Sequence, residues 1–199
     1  LYRRPLSEEE IDGLVDLTAT IGSEVDDFYL GSQYGLAAIL QSPNFLYRTE
    51  HGDGENQLNP YELATKLSFF LWNSPPDLEL LTAAEDDSIM TAEGLQYQVD
   101  RMVEAPQFTM GVRNIFYEIF TLYNLDTLVK DPLVFTHAST DLGPAAKEET
   151  LLTLENIIIN NDDDFRNIFT TQTTYVDRRL AALYNITAPS EFKFSEIEL

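Results

Sequence analysis

The chain has 199 residues, of which 44% are apolar and 12% aromatic. This is enough apolar material for a folded core, and it excludes a globally disordered, fibrous or low-complexity protein. Thirty-four Asp and Glu against twelve Lys and Arg give a net charge of −22, which repels nucleic-acid phosphates and anionic lipid headgroups. We therefore expect no nucleic acid among the partners, whereas Ca²⁺ or a cationic protein partner would fit the charge.

The sequence contains no cysteine. This excludes disulfides, zinc–thiolate sites, thiol nucleophiles and c-type haem attachment within these residues. No run of about 18 apolar residues occurs, so we expect no membrane span. The chain starts without Met, and residues 192–197 alternate like an unfinished strand. We therefore expect both ends to lie inside a longer protein.

The first half of the chain carries clear helix signals. Ser7 and Glu10 form a capping-box pattern that predicts a first helix, and a second helix is predicted over residues 25–41. Residues 51–56 are polar and contain two glycines, which makes them the best candidate for an internal boundary. We therefore expect an N-terminal helical module over residues 1–54 and a main helical domain over residues 55–199 that continues beyond the C-terminus.

Two segments are predicted to form the centre of the fold. Asn59 and Pro60 are typical of a helix start, and the following residues 61–72 are apolar on most sides, as in a buried helix. In this helix Leu63, Leu67, Phe70 and Leu71 form the predicted apolar stripe. Residues 108–120 have apolar side chains at strict helical spacing.

The remaining elements are shorter or more ambiguous. Asp77 and Thr91 are predicted caps of two helices, a long helix is predicted over residues 144–159, and a last helix over residues 176–184. The fold class that follows is all-α: a compact bundle of about seven to eight helices, arranged either as one body or as two small packed helical modules.

Several segments match a known family pattern in order along the chain. They are residues 3–10 (RRPLSEEE), 42–50 (SPNFLYRTE), 61–72 (YELATKLSFFLW), 124–126 (NLD) and 175–181 (YVDRRLA). Together they resemble planctomycete-type secreted cytochrome c family proteins, which are large exported proteins that join domains of unknown function to a c-type haem segment.

The resemblance implies two adjacent helical domains of unknown function without the haem-attachment segment. It also implies export, to the periplasm or the cell surface, and haem c elsewhere in the full protein. The family's reaction is not defined, so no catalytic residues can be transferred to this chain.

The densest cluster of oxygen ligands lies in residues 160–164 (NNDDD). Because Ca²⁺ takes about six to eight oxygens, Asp162, Asp163 and Asp164 are candidate calcium ligands. The spacing does not match an EF-hand, and the alternative is that Asp164 caps the next helical turn while the other acids face solvent. A weaker cluster of the same kind consists of Asp53, Glu55 and Asn56.

Two carboxylates, Glu148 and Glu155, lie two turns apart on one helix face. Such a pair could do acid–base chemistry or hold a cation, or it could pair with arginine or face water. The two histidines, His51 and His137, lie in predicted loops and are expected on the surface, with axial haem ligation in a neighbouring module as the alternative.

Two further side chains and one group of tyrosines have predicted structural roles. Arg48 is expected to pair with a carboxylate such as Glu62 and to tie the two modules together. Trp72 is expected to anchor the core with its N–H group satisfied. The tyrosines predicted to serve core packing, or an electron path or glycan-stacking groove, are Tyr47, Tyr61, Tyr117 and Tyr123.

Three functions remain open. The chain could be a non-catalytic structural and interaction part of a secreted c-type-cytochrome-like protein, which positions the haem-bearing segment or a partner. It could be part of an oxidoreductase whose active site is completed elsewhere, with residues 148–155 facing the haem. It could also be a subunit of an acidic extracellular assembly with Ca²⁺ or cationic partners. No catalytic site is evident, and the partners expected are other domains or subunits of the same secreted protein.

Overall fold

The computed structural model describes residues 1–52, 57–131, 133–190 and 193–199, in which α-helices predominate and two short strands form one sheet. The all-α prediction is confirmed. The chain divides into two compact units, residues 1–104 and 105–199. Most of the predicted linker and the cluster of Asp53, Glu55 and Asn56 lie outside the described residues, and the boundary near residue 54 stays a prediction.

The first unit contains six α-helices within its described residues. They are α1 (Glu8–Glu24), α2 (Phe28–Gln41), α3 (Pro43–Leu46), α4 (Pro60–Trp72), α5 (Leu78–Glu85) and α6 (Ala92–Glu104), with a short 3₁₀ turn at Ser88–Met90. The caps predicted for α1, α4 and α5 are confirmed, since Ser7 and Asn59 form capping boxes with Glu10 and Glu62, and Asp77 accepts the N–H of Leu80.

Helices α1 and α2 form a close antiparallel hairpin. Gly31 and Gly35 are the buried residues of α2, and a Cβ atom on Gly31 would lie 2.5 Å from the carbonyl oxygen of Thr18. The backbones can approach this closely only because the side chain is missing. Helix α2 begins at Phe28, not near residue 25 as predicted, because Asp27 accepts the N–H groups of Tyr29 and Leu30 and so caps the helix there.

The core of the first unit forms around one face of α4. This face carries Ala64, Ser68 and Trp72, and it packs with Leu80 of α5 and Met102 of α6 among the buried residues. The predicted role of Trp72 is confirmed, because its side chain is 4% exposed and its Nε1–H donates to the Met102 carbonyl at 2.8 Å.

The apolar stripe predicted for α4 was wrong in its position. Phe70 is 66% exposed, and the fully buried positions belong to the face of Ala64 and Ser68. Because α4 is apolar on several sides, its sequence does not distinguish the face against which α5 and α6 pack.

The second unit combines helices with the sheet. Its elements are α7 (Pro106–Ile119), a 3₁₀ turn at Leu122–Leu125, α8 (Leu142–Glu155) followed by a π turn at Asn156–Asn160, a 3₁₀ turn at Phe165–Phe169, β1 (Thr173–Val176), α9 (Arg178–Tyr184) and β2 (Ser195–Glu198). Strands β1 and β2 pair antiparallel, with Thr173 opposite Glu198. The predicted terminal strand is therefore confirmed at Ser195–Glu198.

The core of the second unit lies between α8, β1 and α9. One buried cluster there consists of Leu142, Ala145, Val176 and Leu180, and Leu154 and Ala181 are also buried. The prediction that residues 108–120 occupy the centre was wrong: Ile119 is 63% exposed, and only Gly111 and Val112 of α7 are buried. The sequence periodicity identified α7 as a helix correctly. The central helix of this unit is nevertheless α8, because the strand pair and α9 cover α8 more completely than α7 is covered.

A buried carboxylate joins three elements of this unit. Glu149 of α8 accepts a hydrogen bond from Thr174 Oγ1 of β1 and another from the Tyr184 hydroxyl of α9, both at 2.7 Å. Burial and the hydrogen bond to Glu149 raise the pKa of Tyr184 to about 12. Since a buried carboxylate is costly unless its lone pairs are satisfied, these two hydroxyls allow Glu149 to remain in the interior.

Replacing Tyr184 by Phe should destabilise the fold by about 1–2 kcal/mol, because Glu149 loses one of two hydroxyl donors. The raised pKa of Tyr184 implies that stability is full below about pH 10 and falls as the pH rises towards 12. Tyr184→Phe should therefore show a shallower alkaline loss of stability in urea unfolding from pH 8 to 12. Exposed Tyr123→Phe is the control, and equal slopes in the two variants would contradict this role of Tyr184.

Replacing Gly31 by Ala should open the α1–α2 hairpin and destabilise the protein by about 1–3 kcal/mol, because the new methyl group overlaps backbone atoms. A methyl group on Gly13, in the middle of α1, would meet no described atom within 4 Å outside the backbone of its own helix. Gly13→Ala should therefore stabilise by about 0.5–1 kcal/mol through helix propensity alone. The Tm of each variant is measured by thermal unfolding, followed by circular dichroism. A Gly31→Ala variant with a raised Tm would show that the contact between α1 and α2 is not tight.

Candidate functional site

The positive charges of the first unit are concentrated in one place. Residues 1–104 contain five Lys and Arg against twenty Asp and Glu. Four of the five, namely Arg3, Arg4, Arg48 and Lys66, line a single cleft of about 600 Å³, which we call the basic cleft. In a unit with so strong an acidic excess, this segregation of charge marks the cleft as a candidate site.

The basic cleft lies between the segment before α1, the segment from α3 to His51, and one side of α4 from Tyr61 to Phe70. Aromatic side chains line the cleft together with the cations. They are Tyr2, Tyr47, Tyr61, Phe69 and Phe70. The cleft therefore combines positive charge with aromatic surface, which is a composition suited to ligand binding.

Arg3 fixes one wall of the cleft. Its guanidinium donates to the carbonyl oxygens of Asn44 at 2.9 Å, Tyr47 at 2.8 Å and Phe45 at 3.3 Å. These carbonyls belong to the end of α3 and the residue that follows it, where a helix leaves its C=O groups without intrahelical partners. Arg3 therefore satisfies the end of α3, but no carboxylate compensates its charge at these three contacts.

Glu62 fixes a second part of the cleft lining. Its carboxylate accepts the backbone N–H groups of His51 at 2.8 Å, Asn59 at 3.0 Å and Gly52 at 3.2 Å. The predicted Arg48–Glu62 ion pair was therefore wrong. Glu62 instead holds the segment that follows Arg48 against the start of α4, because a capping-box carboxylate is directed towards backbone N–H groups.

Two of the four cations form ion pairs with carboxylates. Arg4 binds Glu10 through two hydrogen bonds of 2.8 and 2.9 Å, which lowers the pKa of Glu10 to about 2. Lys66 binds Glu50 at 2.9 Å. Both ion pairs are partly solvent-exposed, so they hold side chains in place more than they stabilise the fold.

The other two cations, Arg3 and Arg48, form an uncompensated arginine pair. The Arg48 guanidinium stacks 4.4 Å from the Phe69 ring centroid, and that of Arg3 lies 6.0 Å from the same centroid. Neither makes an ion pair with a carboxylate in the part of the chain that the structure describes. Burial lowers the pKa of Arg3, and the nearby charge of Arg48 lowers it further. The two groups therefore repel each other over one aromatic ring.

The carboxylates predicted as a possible catalytic pair are held by one arginine. Arg113 of α7 donates to Glu148 at 2.6 Å and to Glu155 at 3.0 Å, and both carboxylates belong to α8. Of the alternatives left open by the sequence, the structure shows pairing with arginine. This arginine bridge ties α7 to α8.

Two of the three candidate calcium ligands, Asp163 and Asp164, engage separate partners. Asp164 caps the 3₁₀ turn that starts at Phe165 and binds Arg166, while Asp163 accepts the side-chain amide of Asn167 at 2.8 Å. Within the described ranges, no group of three or more His, Asp or Glu side chains is placed to hold a metal ion. Calcium binding at Asp162, Asp163 and Asp164 stays a prediction.

The remaining predicted residues separate into two places. His51, Tyr47 and Tyr61 line the basic cleft, whereas Tyr117 and Tyr123 pack edge to face in the second unit. Both His51 and His137 are exposed. Sequence reasoning missed Arg3, although the scarcity of cations before residue 105 and the paired arginines near the start were a usable signal.

None of the helices in the described ranges is both long enough and apolar enough to cross a membrane. This agrees with the expectation from the sequence.

The chain matches two family models. Residues 58–186 match the model described as PSD4, a protein of unknown function (DUF1592), and residues 1–50 match PSD5, a protein of unknown function (DUF1595). The basic cleft draws on both matches, because Arg3, Arg4 and Arg48 lie in the second and Lys66 and Phe69 in the first. No curated protein and no solved structure is significantly similar to the chain.

The match over residues 58–186 covers more than half of the chain, and the two matched families are those found in planctomycete cytochrome c-type proteins, which confirms the resemblance. The chain therefore belongs to the DUF1592 family, and it carries a DUF1595 domain in front of the DUF1592 domain.

Proposed function

We propose that this chain is a non-catalytic interaction part of a larger exported protein of the c-type cytochrome kind. In this proposal the basic cleft binds an anionic group of a partner or of a neighbouring part of the same protein. The chain would thereby position the haem-bearing segment or the partner. Since the sequence has no cysteine, haem c would be attached elsewhere in the full protein.

The uncompensated arginine pair is the observation that carries this proposal. Two guanidinium groups that share one ring, and that form no ion pair with a carboxylate of the described residues, raise the free energy of the cleft through their mutual repulsion. A bound anion would remove that repulsion and would accept charge-assisted hydrogen bonds. The two acids that line the cleft in the described ranges already have partners, because Glu50 binds Lys66 and Glu62 binds backbone N–H groups.

The same arrangement supports a role in joining domains. Arg48 comes from the DUF1595 match and stacks on Phe69 of the DUF1592 match. An anion bound at this point would contact both domains. It would favour one arrangement of the two parts of the cleft that the domains contribute. Binding of an anionic partner in the basic cleft would therefore shift the two domains towards one arrangement.

Anions should stabilise the protein through Arg48. In sodium sulfate and in sodium acetate, compared with sodium chloride at equal ionic strength, the wild-type Tm should rise by several degrees more than that of Arg48→Gln, because ligand binding to the native state adds stability. Arg166→Gln, which removes an exposed arginine of the second unit, is the matched control and should respond like the wild type. Equal responses in all three proteins would contradict anion binding in the basic cleft.

The wider proposal is tested by a visible absorption spectrum of the intact protein, purified from its native source and identified by peptide mapping. Reduction with dithionite should produce c-type haem bands, because the family occurs in cytochrome c-type proteins. A spectrum without haem bands from the full-length protein would contradict the cytochrome context. It would leave the anion-binding role of the basic cleft to be judged by the Tm measurements.

A further inference from the structure

The basic cleft holds a second unsatisfied feature besides the arginine pair. Tyr47 is 64% exposed and Phe70 is 66% exposed, and both line the cleft. Large aromatic side chains lose favourable burial when they remain in water. A ligand that covers them and also neutralises the arginine pair would satisfy both features at once.

The arginine pair favours a particular kind of anion. The guanidinium carbon of Arg48 lies 4.4 Å from the Phe69 ring centroid, and its N–H groups make no hydrogen bond to any residue that the structure describes. The planar, two-pronged guanidinium matches a planar acceptor with two oxygens, such as a carboxylate. Glu50 and Glu62 also line the cleft. Their negative charges disfavour a dianion such as a phosphate monoester more than a single carboxylate.

We infer that the basic cleft recognises a carboxylate carried on a ring, with the carboxylate at the arginine pair and the ring against Tyr47 and Phe70. This inference rests on the proposed function, which requires only that some anion binds in the cleft. A volume of about 600 Å³ falls within the usual range of small-molecule sites. It accommodates a sugar acid entirely, or one edge of a larger ring system.

The same chemistry could come from two sources, a sugar acid or the propionate edge of a haem group. Isothermal titration calorimetry on the full 199-residue chain distinguishes them with two matched pairs of probes. D-glucuronate is compared with D-glucose, and a haem c peptide with free propionates is compared with the same peptide after esterification. Sodium acetate gives the affinity of a carboxylate without a ring.

At least one of the two ring acids should bind at least about tenfold more tightly than acetate and than its own neutral counterpart, since a charge-assisted hydrogen bond and a stacked ring each contribute about this factor. Binding of glucuronate assigns the cleft to a sugar acid, and binding of the free haem peptide assigns it to a haem edge. Either result supports the inference.

Two variants locate the binding. Arg48→Gln should weaken the ring acid about tenfold or more, and Tyr47→Ala should weaken it while leaving the affinity for acetate unchanged. The controls are Arg166→Gln and Tyr34→Ala, which remove an exposed arginine and an exposed tyrosine that do not line the cleft. Controls that weaken binding as much as the cleft variants would overturn the inference.

The results distinguish a failure of this inference from a failure of the proposed function. If both ring acids bind no better than acetate, while sulfate and acetate still raise the Tm through Arg48, the inference is wrong and the proposed function stands. If neither the ring acids bind nor the Tm depends on Arg48, both are wrong. Should a ring acid bind equally well to Arg48→Gln, its site lies elsewhere and the inference is again overturned.

Discussion

The candidate site depends on the hydrogen bonds that the Glu62 carboxylate accepts from the backbone. Partial burial alone would raise its pKa, but the backbone N–H groups of His51, Asn59 and Gly52 outweigh this effect, so the pKa lies below its ordinary value. These bonds close the capping box of α4 and hold the chain on both sides of residues 53–56 at one point. The segment with Tyr47 and Arg48 is thereby placed over α4. Without that anchor, the cation–aromatic stack on Phe69 would have no fixed partner.

The use of Glu62 on the backbone has an electrostatic consequence. A carboxylate that accepts three N–H groups is not available to neutralise a guanidinium, so Arg48 keeps its charge uncompensated in the described structure. Arg3 is in the same position, because it uses its donors on carbonyl oxygens. In a chain with a net charge of −22, a cleft with surplus positive charge has a strongly favourable potential for an anion only at short range. At greater distance the acidic surface dominates, which favours a partner that is delivered by a neighbouring domain over one that is steered from solution.

The second unit uses its charges differently. Glu148 and Glu155 share Arg113, and Glu149, which lies between them in sequence, turns inward to two hydroxyl groups. The same stretch of α8 thus supplies an ion-pair bridge to α7 and a buried hydrogen-bond link to β1 and α9. A set of carboxylates that is typical of catalysis in a sequence serves packing here, because each of these side chains already has a partner within the unit.

The sequence by itself determined the helical class, the starts of α1, α4 and α5, and the family. Capping boxes at Ser7 and Asn59 depend on residues three positions apart, and the terminal strand depends on strict alternation, so local pattern was sufficient. Only the tertiary structure decided which face of α4 is buried, why residues 108–120 are not central, and that Glu62 binds backbone N–H groups rather than Arg48. These outcomes depend on which elements pack together and on which donors the fold places within hydrogen-bond distance of a carboxylate. The basic cleft belongs with them, since Arg3 and Arg48 are 45 residues apart in sequence and meet only over Phe69.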